Sequence, residues 1–255
     1  ILILMISVCI SFWIVEVIIR YVRPDYKFYQ RTYPGEFLNG KSRRVMADKE
    51  LGWITGGALK SNGIEYDANE QGFRDYKNFV LDSKKKKIMV LGDSFVYGLY
   101  LPNEDTIPFL MEHKLKNTYD VFNLGMPGYG IDQMYLTYKK YAPVIKPDVI
   151  VLVFITDDVC RAIEAHSGRL DKPSFYIKHD KLVRRDGNDL NMVDHIAQRS
   201  VVLNILYSKI YTINLASSIC KKIFSEMINE ANARKEKFVV CKFPMEHEVI
   251  NQRQL

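Results

Sequence analysis

The residue best suited to chemistry is the serine of Gly92-Asp93-Ser94. It follows four consecutive lysines, Lys84, Lys85, Lys86 and Lys87, and the apolar run Ile88-Met89-Val90-Leu91. A run that short, closed by glycine, reads as a buried strand. A serine just past the carboxyl end of such a strand stands where open parallel sheets gather their reactive groups, and its hydroxyl is a candidate nucleophile. The same tripeptide is also ordinary turn chemistry, because Gly accepts positive φ and Asp or Ser can cap a following helix. Two more apolar runs end in polar or glycine-rich residues: Asn123-Leu124-Gly125-Met126-Pro127-Gly128 and Thr156-Asp157-Asp158.

For these three places to meet, the segments before them must be neighbouring strands. Residues 119–124 read as a second strand, and residues 149–155 form a near-continuous aliphatic run, as a central strand covered on both faces requires. Residues 238–243 supply a fourth strand, reaching Pro244. Helical patterns lie between them. Residues 104–115 put Ile107, Leu110, Met111 and Leu115 on one face with Asn103 as cap, and residues 131–141 carry Met134, Leu136 and Tyr138. Residues 200–233 are helical with a break near Asn214. The alternation predicts an α/β fold with a mostly parallel sheet. Residues 159–195, with Gly168, Pro173 and Gly187, are polar and irregular, an excursion of the kind that helps to shape a site.

Ahead of the sheet, residues 1–22 carry only two charges, Glu16 and Arg20. A helix of about 20 residues rising about 1.5 Å each spans a bilayer core of roughly 30 Å, so residues 1–23 are expected to form a transmembrane helix. Tyr21, Arg20 and Arg23 suit its interfacial end, and a Glu16–Arg20 pair one turn apart lowers the cost of the carboxylate. The competing reading is a signal-peptide core, for which the segment is long and lacks a small-x-small site behind it. The chain begins with Ile, so residues are expected to be missing before it, and orientation needs both flanks. The visible flank, Arg20, Arg23, Lys27 and Arg31, favours a cytoplasmic soluble part. Residues 24–86, broken by Gly52, Gly56, Gly57 and Gly63, are expected to be an extension of loops and short strands packing on the domain that follows.

Composition excludes several classes. With 36 Lys and Arg against 30 Asp and Glu the net charge is +6, but the basic residues are scattered and no nucleic-acid motif is visible. Cys9 lies in the apolar segment, and Cys160, Cys220 and Cys241 have no Cys-x-x-Cys spacing, which argues against a disulfide framework or a structural zinc. They read as small buried hydrophobes and favour a reducing compartment weakly. No GxxxxGK[ST] or GxGxxG follows a strand, and Pro127 stands where a phosphate-binding loop needs a donor. No metal and no cofactor is expected.

In this order and spacing, the three strand ends resemble those of the SGNH (GDSL-type) hydrolase family over residues 87–243, and Asn69-Glu70-Gln71-Gly72-Phe73-Arg74-Asp75 resembles an extension of its membrane-anchored or secreted members. The resemblance implies a flavodoxin-like three-layer α/β/α sandwich over residues 87–255. It further implies a serine ester hydrolase or O-acyltransferase working through an acyl-enzyme. Ser94 would be the nucleophile and its own N–H one oxyanion donor, the Gly125 N–H a second, with Asp93 and Asn123 beside the substrate.

The third block departs from the family, which has Asn-Asp there, the Asn amide being a third donor. If Asp157 takes the Asn position, an ionised carboxylate repels the oxyanion and donates only when protonated. If Thr156 takes it, a hydroxyl remains to donate. A third reading has Asp157 or Asp158 capping the following helix. The family's base lies in an Asp-x-x-His block, and no such tetrad occurs here. Asp194-His195 and Glu246-His247 lack the spacing, and His113, His166 and His179 read as surface or loop residues. The expectation is a chain shortened at both ends whose site is incomplete and nearly inactive.

The implied substrate is an acyl group, acetyl among the options, on a carbohydrate or lipid near a membrane, with no nucleic-acid partner. The family favours a single-pass anchor with the soluble domain extracytoplasmic. The alternative is a catalytically silent binding or assembly module at the membrane.

Overall fold

The computed structural model describes residues 2–22, 45–57, 59–61, 63–80, 82–115, 117–163, 166–167, 170–186, 200, 202 and 213–245. Helix α1 (Leu2–Val22) comes first, then two antiparallel hairpins: β1 (Val45–Asp48) with β2 (Gly52–Thr55), and β3 (Leu59–Ser61) with β4 (Ile64–Tyr66). The α/β part runs β5 (Lys86–Gly92), α2 (Ser94–Tyr97), a 3₁₀ turn (Asn103–Asp105), α3 (Ile107–Leu115), β6 (Tyr119–Gly125), α4 (Ile131–Ile145), β7 (Val149–Phe154) and α5 (Thr156–Arg161). Two small antiparallel pairs follow: β8 (His166–Ser167) with β9 (Leu170–Asp171), and β10 (Ser174–Lys178) with β11 (Lys181–Arg185). The last described elements are α6 (Ile213–Ala233) and β12 (Lys237–Lys242).

Four strands form one parallel sheet in the order β12-β7-β5-β6. Counted along the sheet's own strands this is 2-1-3-4 read from the β6 edge, the flavodoxin-like order. The chain leaves β5 for β6 on one side and returns to β7 on the other, so β5 is the switch point, with a crevice expected at its carboxyl end. The strand alternation sends Met89, Leu91, Phe122, Leu124, Ile150 and Leu152 to one face, packed with Met134, Tyr138, Ile219, Ile223 and Met227 of α4 and α6. Ile88, Val90, Val121 and Val153 point to the other, meeting Val96 of α2 and Met111 of α3. Helices on both faces remove β5, β6 and most of β7 from water, while β12 stays largely exposed, and each aliphatic side chain so buried contributes about 1.5–3 kcal/mol.

Several local expectations need correcting. Asn103 opens a 3₁₀ turn rather than capping α3, and Leu110 and Leu115 stay 45% and 37% exposed because α3 lies over the edge strand β6. The irregular stretch after residue 159 contains the regular β10–β11 hairpin. Residues 187–199, including His195, and most of 200–212 lie outside the described residues, as do His247 and residues 23–44. Only Cys220 among the cysteines is buried, and burial pushes its thiol up to about 12.

Asp75 and Lys77, ahead of β5, together with Glu112 of α3, secure the edge strand β6. The Asn123 N–H donates to Asp75 Oδ2 (2.9 Å) and the Val121 N–H to Glu112 Oε2 (3.0 Å), while Lys77 Nζ donates to the Val121 carbonyl (2.7 Å). Side chains thus take the ladder groups that an edge strand exposes. Trp53 is fully buried and donates Nε1–H to the Pro127 carbonyl (3.1 Å), and Gln133 Nε2 donates to the Leu51 carbonyl (2.7 Å). These bonds hold the β6–α4 loop against β2.

Helix α1 contains an 18-residue window, Met5–Val22, of mean hydropathy 1.9 and none of it buried. By length and composition it can cross a membrane. Glu16 is satisfied by Arg20 Nε (2.8 Å), by the Ser200 hydroxyl (2.9 Å) and by the Val202 N–H (3.0 Å).

Candidate active site

Strand β5 stops at Gly92 because α2 folds straight back over it. A Cβ there would lie 2.3 Å from Val96 Cγ2 and 2.9 Å from the Val153 carbonyl. Asp93 follows as the cap of α2: its Oδ1 accepts the Phe95 N–H (2.9 Å) and its Oδ2 the Ser94 hydroxyl (3.4 Å). Ser94 is the first residue of α2 and half-buried, whereas Asp93 is buried. The capping reading of Gly-Asp-Ser holds, and the cap itself sets the serine at the strand end. The turn closes at Gly98 with φ of 75°.

Arg74 locks the far side of this turn. It is buried and donates to the carbonyls of Tyr97 (3.2 Å), Leu101 (2.8 Å) and Glu65 (3.3 Å), and to Gly98, with its guanidinium 4.5 Å from the Tyr66 ring centroid. Carbonyls orphaned at the end of so short a helix are thereby met by one cation.

The second strand end lies directly under α2. Gly125 pairs in register with Gly92, and the Met126 N–H donates to the Gly92 carbonyl (3.1 Å). The Gly125 N–H donates to Asn123 Oδ1 (2.9 Å), and both residues are buried beneath the Val96–Tyr97 backbone. In this arrangement that N–H is engaged. Gly128, three residues on, is half-buried with φ of 81°, and its N–H has no partner among the described residues. Sequence reasoning passed over Gly128 because a Pro-Gly pair signals a turn whatever else it does.

The third strand end opens α5. Of its two acidic residues Asp158, in the first turn, reaches back to the N-cap residue Ile155, its Oδ2 accepting the Ile155 N–H (2.9 Å), while Asp157 is exposed and Thr156 half-buried. One turn later Arg161 points back across the strand ends. Its Nη1 forms an ion pair with Asp158, lies 3.4 Å from Asp93 Oδ2 and donates to the Tyr129 carbonyl at 3.5 Å. Burial pushes the Asp158 carboxyl well above the usual carboxylate range, Asp93's charge adds to that, and Arg161 opposes it. Burial likewise raises Asp93, against the Phe95 N–H, Arg161 and the Ser94 hydroxyl. Arg161 was absent from the sequence reading; the only signal was its place three residues after Asp158, one helical turn away.

The apolar rim is formed by Phe95, 45% exposed, whose ring meets Phe243 edge-on at 6.1 Å. A shallow recess lies elsewhere, at the β6 edge between Arg74, Asp75, Thr106, Glu112 and Asn123, and Ser94 does not line it. His113 on α3 and His179 in the β10–β11 turn are exposed, and neither bonds to Ser94 or Asp93.

No family model matches this sequence, and no curated protein matches it. Solved structures do. A member of the lipolytic protein G-D-S-L family from Veillonella parvula is similar at 13% identity over 67% of this chain and 84% of that one, with a TM-score of 0.29. AlinE4, an SGNH-hydrolase family esterase, is similar at 13% identity over 68% and 94%, with a TM-score of 0.29. An acetyl xylan esterase is similar at 15% identity over 60% and 76%, with a TM-score of 0.29. The first two bear the name of the family that the strand-end motifs resemble.

Proposed function

We propose that this chain carries the nucleophile of a serine ester hydrolase or O-acyltransferase acting on acyl groups of a carbohydrate or lipid, with Ser94 as that nucleophile. The observation that carries the reading is Ser94's position as the first residue of α2 at the carboxyl end of the central strand β5, its hydroxyl on buried Asp93. In the proposed cycle Ser94 Oγ bonds to the ester carbonyl carbon, its proton passes to a base and the carbonyl electron pair moves onto oxygen. Collapse of the tetrahedral species breaks the bond to the alcohol oxygen, which leaves protonated. Water or a second hydroxyl then attacks the acyl-serine. The family resemblance assigns the base to a histidine of an Asp-x-x-His block, which these 255 residues do not contain.

The oxyanion donors we assign are the N–H groups of Ser94 and Gly128. Gly128 replaces Gly125 in this role because the Gly125 N–H is already held by Asn123. Asp157 or Thr156 takes the position of the family's Asn, and the exposed carboxylate of Asp157 opposes rather than supports an oxyanion. We assign residues 1–23 to a membrane anchor, 24–86 to an extension and 87–255 to the hydrolase-like domain, with the domain extracytoplasmic. The apolar, unburied α1 supports the anchor.

A serine-directed fluorophosphonate tests the reading. The full-length protein in detergent micelles is expected to label at Ser94 and to lose labelling in Ser94→Ala. A folded protein that takes up no label, or a Ser94→Ala variant that still does, refutes it. The rival, a silent binding module, draws on the carboxylate of Asp157 and predicts no labelling.

A further inference from the structure

We propose that Arg161 is a positioning residue that keeps Asp93 ionised as the acceptor of the Ser94 hydroxyl, and so couples Ser94's reactivity to the protonation of Asp93 as well as to that of its base. The proposal rests on Ser94 being the nucleophile. Arg161 Nη1 sits 3.4 Å from Asp93 Oδ2, the same oxygen that takes the Ser94 hydroxyl at 3.4 Å, and it also pairs with Asp158. Its side chain is 14% exposed, so solvent screens these contacts little. Its Nε–H is buried without a partner among the described residues. The guanidinium thus gives up one hydrogen bond to bring Nη1 between the two carboxylates.

Two carboxylates that share a buried site resist ionising together, and a cation between them lets the first lose its proton. Among the described residues the groups that meet Asp93 are few. From α5 come Arg161 and Asp158, from α2 the Ser94 hydroxyl and the Phe95 N–H, and from the loop before α4 the Tyr129 carbonyl bound to Arg161. Asp132 on α4 is committed to buried Lys172. Burial works against ionisation of Asp93, and Arg161 is the cation that counters it. A protonated Asp93 holds the cap of α2 less firmly and no longer offers an anionic oxygen to Ser94. Reactivity of the serine therefore falls where Asp93 takes up its proton, in addition to what protonation of the base removes.

The test is a pH titration of the full chain in micelles, carrying carbon-13 at aspartate Cγ, with the Asp93 resonance assigned through Asp93→Asn. Fluorophosphonate labelling rates are measured over the same pH range. Arg161→Gln is expected to move the Asp93 midpoint to higher pH by roughly one pH unit, the lower end of the effect of an opposite charge in contact. The acid limb of labelling moves with it. Arg161→Lys keeps the charge but has one ammonium for two carboxylates, so its midpoint falls between wild type and Arg161→Gln; it also serves if the Gln variant does not fold. An Asp93 midpoint that is the same in wild type and both variants overturns the proposal. So does a labelling limb that stays put while the midpoint moves. Absence of label from wild type at every pH instead refutes the nucleophile reading itself.

Discussion

Gly125→Ala is the substitution whose consequence follows most directly from geometry. A Cβ at Gly125 would lie 2.3 Å from Tyr97 N, 2.6 Å from Val96 C and 2.8 Å from Val96 Cβ. Non-bonded heavy atoms settle at roughly 3.5–4.0 Å, so α2 must lift by about 1 Å or β6 must sink by as much. Neither neighbour yields easily, because two of the three atoms are main chain and Arg74 holds the carbonyls that follow them. Overpacking of this kind costs about 1–3 kcal/mol. A displacement of about 1 Å at a reacting group costs about 10²-fold in rate. Urea unfolding followed by tryptophan fluorescence should therefore show the midpoint falling, and the folded fraction should label at Ser94 about a hundred times more slowly. Wild-type stability together with a wild-type labelling rate in Gly125→Ala would show that α2 does not rest on this glycine.

Asp157→Asn replaces a carboxylate with an amide donor, and recovering one oxyanion donor is expected to speed fluorophosphonate labelling by about 10-fold or more; an unchanged rate would place residue 157 outside the oxyanion site. Stability should also depend on pH. Burial raises Asp158, and Asp93 less so, above the ordinary value of 3.8, so the folded protein binds more protons than the unfolded chain between that value and the raised ones. The free energy of unfolding accordingly falls as pH rises through that window, and urea midpoints should decline as pH rises above the ordinary carboxylate value. Asp158→Asn, which cannot ionise, should flatten the decline; the same slope in both proteins would show that the buried carboxyl is not its source.

The sequence by itself determined the order of strands and helices and the three strand ends. Those features are local: an apolar run closed by glycine is a strand end whatever surrounds it, which is why Gly92, Gly125 and Thr156 all follow or close strands of one parallel sheet. It could not say which donors are free. The Gly125 N–H is spent on Asn123, two residues before it, and Asp158 rather than Asp157 bonds back to the N-cap residue of α5, because helical rotation turns one carboxylate inward and its neighbour out to water. Arg74 and Arg161 were legible only as charges. Their roles came from the tertiary structure, which buries each among groups distant in sequence, Tyr97 and Leu101 for one and Asp93 for the other. Burial decided the chemistry, since a cation that would be screened at the surface acts strongly where water is excluded.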